Sequence, residues 1–67
     1  MAWLAVDKDG TEKMFNHAPR KIPLFPDIWV DNYIPSVECF HIKLPKGSIK
    51  KLIGKELTWE DEPVEYK

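Results

Sequence analysis

A β-hairpin signal near the start of the sequence constrains the fold more than any other feature. In the stretch AWLAVDKDGTEKMF, two runs of β-forming residues flank Asp7-Lys8-Asp9-Gly10. An Asp-Gly dipeptide between such runs is typical of a tight hairpin turn, and its glycine can take the left-handed backbone conformation that other residues avoid. We therefore predict strands over residues 2–7 and 11–16.

Both faces of this hairpin are apolar. Symmetric pairing around the turn places Leu4 near Met14 and Trp3 near Phe15. Because side chains alternate between the two faces of a strand, one face carries Leu4, Val6 and Met14, and the other carries Trp3, Ala5 and Phe15. We expect the hairpin to be covered on both sides or to contact a partner.

Residues 17–36 form a proline-rich excursion that contains Pro19, Pro23, Pro26 and Pro35. Proline fixes φ and lacks an amide donor, so no regular helix is expected here. Only Ile28-Trp29-Val30 favours a short edge strand. The rest is predicted to be ordered and extended, and long connections of this kind are often functional.

The run VECFHIKL, residues 37–44, alternates between two sets of side chains. The alternation predicts a half-buried strand. Its inward face is expected to carry Phe40, Ile42 and Leu44, and its outward face Val37, Cys39, His41 and Lys43.

The run PKGSIKKLIG then predicts a short helix, for which Pro45 suits the first turn. An apolar stripe at i, i+3 and i+4 spacing consists of Ile49, Leu52 and Ile53. Gly54 stands where a left-handed cap would end the helix. Two turns are not stable alone, so the stripe is expected to dock on the sheet.

These elements predict a small α+β domain, with a mostly antiparallel sheet of about four or five short strands and one short helix packed on it. Extended structure resumes in KELTW, and Val64 with Tyr66 favours a last short strand. The expected core consists of Leu4, Val6, Met14, Phe40, Ile42, Ile49, Leu52, Ile53, Leu57 and Trp59.

The size and charge of the chain limit its function classes. Its 67 residues are predicted to form a single small domain, residues 1–67, and so short a chain buries only about 60% of its unfolded surface. The net charge of −1 is unlike the strongly basic balance of general nucleic-acid binders. The opening MAWLAV is too short for a signal peptide, and no run approaches the ~20 apolar residues of a membrane span. The single cysteine excludes an intrachain disulfide, and a cytoplasmic location is expected.

Cys39 and His41 are the one pair with the chemistry of metal ligands. Two apart on a strand, they project from the same face, but a zinc site would also need His17 and a carboxylate. As a thiol and its base they would stand about 7 Å apart at their stems, which makes direct contact awkward. We favour a sheet face with a small thiol and an imidazole, and predict no metal, cofactor or catalytic residue.

The first candidate binding surface is the apolar stretch IPLFPDIWV, in which Phe25 and Trp29 are the candidate contact residues. Exposed, these side chains would form an edge that binds another protein. The competing interpretation, which we favour, is that they wrap the sheet and complete its core.

The second candidate surface is the lysine-rich helix, residues 46–53. Its candidate contact residues are Lys46, Lys50 and Lys51, which could bind phosphates. The competing interpretation, which we favour, is the solvated side of an amphipathic helix, partly neutralised by the acidic residues that follow. The functional question that remains is whether these lysines stay free of those acids and so are available to a phosphate or an acidic partner.

The stretches WLAVDKDGTE and IKLPKGSIKKLIGKELTWEDEPVE, from the two ends of the chain, resemble small open reading frames of bacteriophage and mobile-element genomes. The proline-rich middle has no part in the resemblance. The resemblance implies a phage-accessory or host-interacting role and assigns no catalytic or binding residue.

The function predicted from the sequence is therefore that of a non-enzymatic interaction protein, which binds another protein or a second copy of itself. The alternative is a nucleic-acid-binding accessory protein that uses the lysine-rich helix. No membrane contact is expected.

Overall fold

The computed structural model describes all 67 residues and contains six strands and one helix. The strands are β1 (Ala2–Val6), β2 (Glu12–Phe15), β3 (Arg20–Ile22), β4 (Phe25–Val30), β5 (His41–Leu44) and β6 (Val64–Tyr66), and the helix is α1 (Ser48–Ile53). The fold class is α+β with mostly antiparallel strands, as predicted, although the strands outnumber the four or five expected. No helix is long and apolar enough to cross a membrane.

The N-terminal hairpin forms the centre of a four-stranded antiparallel sheet with the order β5-β2-β1-β6. Trp3 pairs with Phe15 and Leu4 with Met14, which confirms the register predicted from the turn. The predicted last strand is also present as β6, which pairs with β1 at one edge of the sheet. At the other edge β5 pairs with β2 and has no further neighbour.

The turn between β1 and β2 is held by short-range hydrogen bonds. The Asp7 N–H donates to the Thr11 carbonyl at 2.9 Å, and Gly10 has a φ of 92°, in the left-handed region. The Thr11 N–H donates to Asp9 Oδ1 at 2.9 Å. This hydrogen bond favours the ionised carboxylate and lowers the pKa of Asp9 below its ordinary value.

Helix α1 covers one face of the four-stranded sheet. Ile49 is fully buried there against Leu4 and Val6. The partly buried side chains around this cluster are Met14, Leu44, Ile53, Leu57 and Tyr66. The predicted docking of the helix stripe is confirmed for Ile49 and Ile53.

The β3–β4 hairpin covers the opposite face. Trp29 of β4 is buried against Ala5 and Phe15, while Trp3 and Trp59 are partly buried beside them. Each face of the N-terminal hairpin is therefore covered over part of its length, which is one of the two outcomes expected from its apolar character.

A buried ion pair fixes the β3–β4 hairpin to the sheet. Lys13 Nζ lies 2.8 Å from Asp7 Oδ2, and both side chains are almost fully buried. Asp7 Oδ1 accepts a hydrogen bond from the Trp29 N–H at 2.9 Å, and Lys13 Nζ donates to the Trp29 carbonyl at 3.5 Å. The pair thus satisfies both backbone polar groups of the tryptophan on which this side of the core is built.

The proline-rich excursion contains a complete hairpin that was not predicted. The sequence pattern indicates only a strand over Ile28-Trp29-Val30, which is the second half of β4. The turn lies at Pro23-Leu24, since Ile22 pairs with Phe25. Pro26 is tolerated within β4 because the two-stranded sheet leaves each strand with one unpaired edge.

The strand predicted over residues 37–44 is shorter than expected, because β5 begins only at His41. The Val37 N–H closes a turn on the Ile34 carbonyl at 3.1 Å, and Ser36 has a φ of 64°. Residues 38–40 then follow this turn as irregular backbone.

The prediction that Phe40 and Ile42 belong to the core is wrong, since each side chain is 54% exposed. Leu52 is also exposed, at 36%. For Phe40 and Ile42 the reason is the length of α1, whose six residues cover the end of the sheet that holds Val6 and Leu44. The end that holds Ala2 and Phe40 is left uncovered.

The helix begins at Ser48, two residues later than predicted, and ends at Gly54 in the predicted left-handed cap with a φ of 80°. Its N-terminus is capped by a side chain distant in sequence. Glu12 of β2 accepts hydrogen bonds from the Gly47 N–H at 2.7 Å and the Ile49 N–H at 2.8 Å. The acceptor is a carboxylate, which these first amide groups favour.

Candidate interaction surface

An apolar groove occupies the part of the sheet face that α1 leaves uncovered. Its apolar lining consists of Met1, Ala2, Met14, Phe15, Phe40 and Ile42, with Asn16 as the one polar residue. The groove has a volume of about 140 Å³. Met1 is 82% exposed, so the groove lies open to solvent beside the half-exposed side chains of Phe40 and Ile42.

Asn16 holds the wall of this groove in place. Its Nδ2 donates to the Glu38 carbonyl at 2.8 Å, and its Oδ1 accepts from the Phe40 N–H at 2.8 Å. The Asn16 N–H also donates to the Phe40 carbonyl at 3.1 Å. Three hydrogen bonds therefore fix the irregular backbone that presents the Phe40 side chain to solvent.

The groove adjoins the unpaired edge of β5. The Asn16 N–H donates to the Phe40 carbonyl, so Asn16 and Phe40 form a hydrogen-bonded pair. In an antiparallel ladder such pairs alternate with non-hydrogen-bonded pairs, and the N–H and C=O groups of Ile42 and Leu44 therefore point toward β2. The N–H and C=O groups of His41 and Lys43 consequently point away from the sheet. Exposed backbone groups of this kind are available to another strand.

The opposite side of β5 carries a polar pair. His41 Nδ1 lies 2.6 Å from Asp31 Oδ2, and the imidazole packs at 5.1 Å from the ring of Phe15. Asp31 Oδ1 is buried and has no hydrogen-bond partner in the chain.

Cys39 and His41 are not brought together with further side chains that could ligate a metal. His41 is bonded to Asp31, Cys39 is a partly buried free thiol, and no group of three His, Cys, Asp or Glu side chains is placed to hold a metal ion.

The lysines of the helix region are exposed and have no ion-pair partner. Lys46, Lys50 and Lys51 have no carboxylate oxygen within 4 Å. Lys46 and Lys50 line a cleft of about 640 Å³ between the helix and the segment that follows it. The charged side chains that share this cleft are Asp7, Lys8, Glu12, Glu56 and Glu60. Its acidic groups outnumber its basic ones by four to three.

Phe25 and Trp29, the predicted contact residues of the proline-rich stretch, lie in different environments. Phe25 is 50% exposed at the turn of the β3–β4 hairpin, next to the exposed Leu24, whereas Trp29 is only 6% exposed. Lys21 Nζ lies 3.7 Å from the ring centre of Trp59 and 4.8 Å from that of Trp29. This cation stacking holds the hairpin against the C-terminal segment.

Sequence reasoning missed the groove because Phe40 and Ile42 have the alternation of core residues. The signal that could have found it is the length of the helix, since two turns cannot cover both ends of a four-stranded sheet.

Comparison with protein-family models, curated proteins and solved structures gives no match.

Proposed function

We propose that this chain is a non-enzymatic protein-binding module, and that its partner contacts the apolar groove and the adjoining edge of β5. The observation that carries the proposal is the position of the half-exposed Phe40 and Ile42 beside unpaired backbone groups. Added strands bind sheet edges through main-chain hydrogen bonds, and side-chain pockets next to the edge provide specificity. The groove and the edge together offer both.

The contrast between the two edges of the sheet supports the same choice. β6 is three residues long and follows Pro63, and short strands and prolines protect sheet edges against pairing. β5 contains no proline and carries the exposed Ile42 on its groove side. A partner strand therefore finds a half-exposed apolar side chain at the β5 edge.

The role implied by the resemblance to phage and mobile-element reading frames agrees with a module of this kind. We propose a phage-accessory or host-interacting protein that acts in the cytoplasm. A module with one small docking surface needs no cofactor to perform such a role.

The experiment is a comparison of immobilised wild-type chain with the Ile42→Thr and Phe40→Ser variants in capture of partners from a lysate of host cells that also express the soluble wild-type chain. Both substitutions keep the backbone and remove apolar surface that is already half exposed, so folding should be preserved. We expect both variants to lose a protein that the wild type retains, as read by mass spectrometry.

The matched control is Leu24→Ser, which removes an exposed apolar side chain from the turn of the β3–β4 hairpin. Retention that is unaffected by the two groove variants would contradict the proposal. So would equal loss in the control, since that would place the contact at the hairpin turn near Phe25.

Nucleic-acid binding through the helix is the second candidate function. It is favoured by the lack of any ion pair to Lys46, Lys50 and Lys51. Glu56 and Glu60, the exposed acidic side chains of the neighbouring cleft, weigh against it, because they repel a phosphate backbone.

Titration with single- and double-stranded DNA at two salt concentrations tests this candidate. Three phosphate contacts would give a slope of log K against log salt of about −2 to −3. The Lys50→Gln/Lys51→Gln double variant should reduce the slope by about 2, whereas Lys67→Gln should not. Absent or salt-independent binding would exclude it.

A further inference from the structure

We infer that the partner at the β5 edge is the β5 strand of a second copy of this chain, so that two four-stranded sheets join into one of eight strands. The inference rests on the proposed function, because it names the occupant of the same surface. A strand that pairs with itself must be self-complementary about a two-fold axis, and β5 meets this condition in its hydrogen bonds, its apolar side chains and its charges.

The hydrogen bonds are complementary when the axis passes beside Ile42. His41 of each copy then lies opposite Lys43 of the other. The backbone groups of both residues face away from β2, so each such pair can exchange two N–H···O=C bonds. Four hydrogen bonds would thus pair the exposed backbone groups of the two β5 edges.

The apolar side chains are complementary in the same register. The two Ile42 side chains face each other across the axis, and Phe40 of one copy faces Leu44 of the other. Strands that pair in this way keep corresponding faces on the same side, so the two grooves become neighbours. The contact buries part of the half-exposed Ile42 side chains against each other, and part of Phe40 against Leu44 of the other copy.

Charge selects this register. Lys43 has no acidic partner within its own chain, and Asp31 has no basic partner except His41. With Lys43 opposite the His41 of the other copy, its side chain lies on the same face of the sheet as the His41–Asp31 pair there, in which the Asp31 side chain is 29% exposed. An axis moved to Lys43 would instead oppose two lysines, which is destabilising.

The size of the contact sets its strength. A strand of four residues buries much less than the roughly 1,200 Å² of a standard stable interface. The dimer is therefore expected to be weak, and the fraction of chains in the dimer is expected to rise with the concentration of the chain.

Sedimentation equilibrium over a range of concentrations tests the association on unmodified protein. We expect a reversible monomer–dimer equilibrium. Lys43→Glu should raise the dissociation constant about tenfold or more, because it removes the cation and adds a carboxylate on the face that carries Asp31 of the other copy. The matched control Lys51→Glu makes the same charge change on the outer side of α1 and should leave the constant unchanged.

Cysteine cross-linking tests the register. In a Cys39→Ser background, Ile42→Cys would bring two thiols directly across the axis in a non-hydrogen-bonded pair, with Cα atoms about 4.5 Å apart and within the range of a disulfide. Lys43→Cys would keep its two thiols beyond that range. We expect a disulfide-linked dimer from the first variant and not from the second.

A chain that stays monomeric at every concentration would overturn the inference, and so would cross-linking at position 43 in preference to 42. These results are distinct from failure of the proposed function. A monomer whose retained partner is lost on Ile42→Thr would show that a different protein occupies the same edge, whereas a monomer without any groove-dependent partner would remove both proposals.

Discussion

Asp7 and Lys13 show how single residues hold this small fold together. Burying two charges is costly unless they pair and satisfy their remaining hydrogen bonds. Here the Lys13 ammonium and the Asp7 carboxylate lie 2.8 Å apart, and they also form hydrogen bonds with the carbonyl and the N–H of Trp29. Each charged group thus takes the place of water as the hydrogen-bond partner of a backbone group. The pair thereby fixes which strand of the β3–β4 hairpin packs on the sheet.

Removing one member of this pair should be severe. Asp7→Asn leaves the Lys13 ammonium buried without its counter-ion, and we expect a loss of about 3–5 kcal/mol in the free energy of unfolding. So large a loss would leave a domain of this size partly unfolded. The measurement is the urea unfolding midpoint, followed by tryptophan fluorescence.

The control is Asp27→Asn, which breaks the solvent-exposed pair between Asp27 and Lys8. Exposed pairs contribute about 0–1 kcal/mol. Equal midpoints for the two variants would mean that the buried pair does not anchor the hairpin.

At the scale of elements, the short helix is stabilised mainly from outside itself. Six residues form too few internal hydrogen bonds to be stable alone. Ile49 provides the apolar contact, and Glu12 on β2 binds the Gly47 and Ile49 amides. Because this cap comes from a strand, the position of the helix depends on the N-terminal hairpin.

We therefore expect Glu12→Ala to destabilise the protein by about 1–2 kcal/mol, which is the usual effect of losing a capping carboxylate. Amide hydrogen exchange at Gly47 and Ile49 should accelerate more than exchange in β1. The matched variant Glu62→Ala removes an exposed acid and should change neither property. Unchanged exchange in Glu12→Ala would show that the cap does not hold the helix.

How much of each element could be predicted from the sequence depends on how local its signals are. The N-terminal hairpin and the end of the helix at Gly54 were predictable, because glycine and alternation act over neighbouring residues. The hairpin between Arg20 and Val30 was not, since its place on the sheet depends on hydrogen bonds of Trp29 with Asp7 and Lys13, which are distant in sequence. Phe40 is exposed because the helix is too short to cover its end of the sheet. The alternation of apolar residues carries no information about which part of the sheet a helix covers.

The predicted contact residues divide in the same way. Phe25 and the three lysines are exposed as a contact residue requires, and their role in binding stays a prediction. Trp29 satisfies the competing interpretation that the stretch completes the core. The groove residues Phe40 and Ile42 were assigned to the core because an exposed binding face and a buried face share one alternating pattern.

The molecule as a whole has a small hydrophobic core. Only nine of the 67 residues are buried, and several large apolar side chains lie outside this core and are exposed to solvent. At the β5 edge these unused side chains stand beside unpaired backbone groups, and we regard that combination as the property on which the function depends.

Amide hydrogen exchange along β5 tests this account most directly, with the dilute chain compared with the chain bound to its partner or at high concentration. In the dilute state the Ile42 and Leu44 amides should be protected by β2, while those of His41 and Lys43 exchange freely. Binding should protect His41 and Lys43 and leave the edge of β6 unchanged. Protection that appears on the helix lysines instead, with free exchange at His41 and Lys43 in the bound state, would contradict the account.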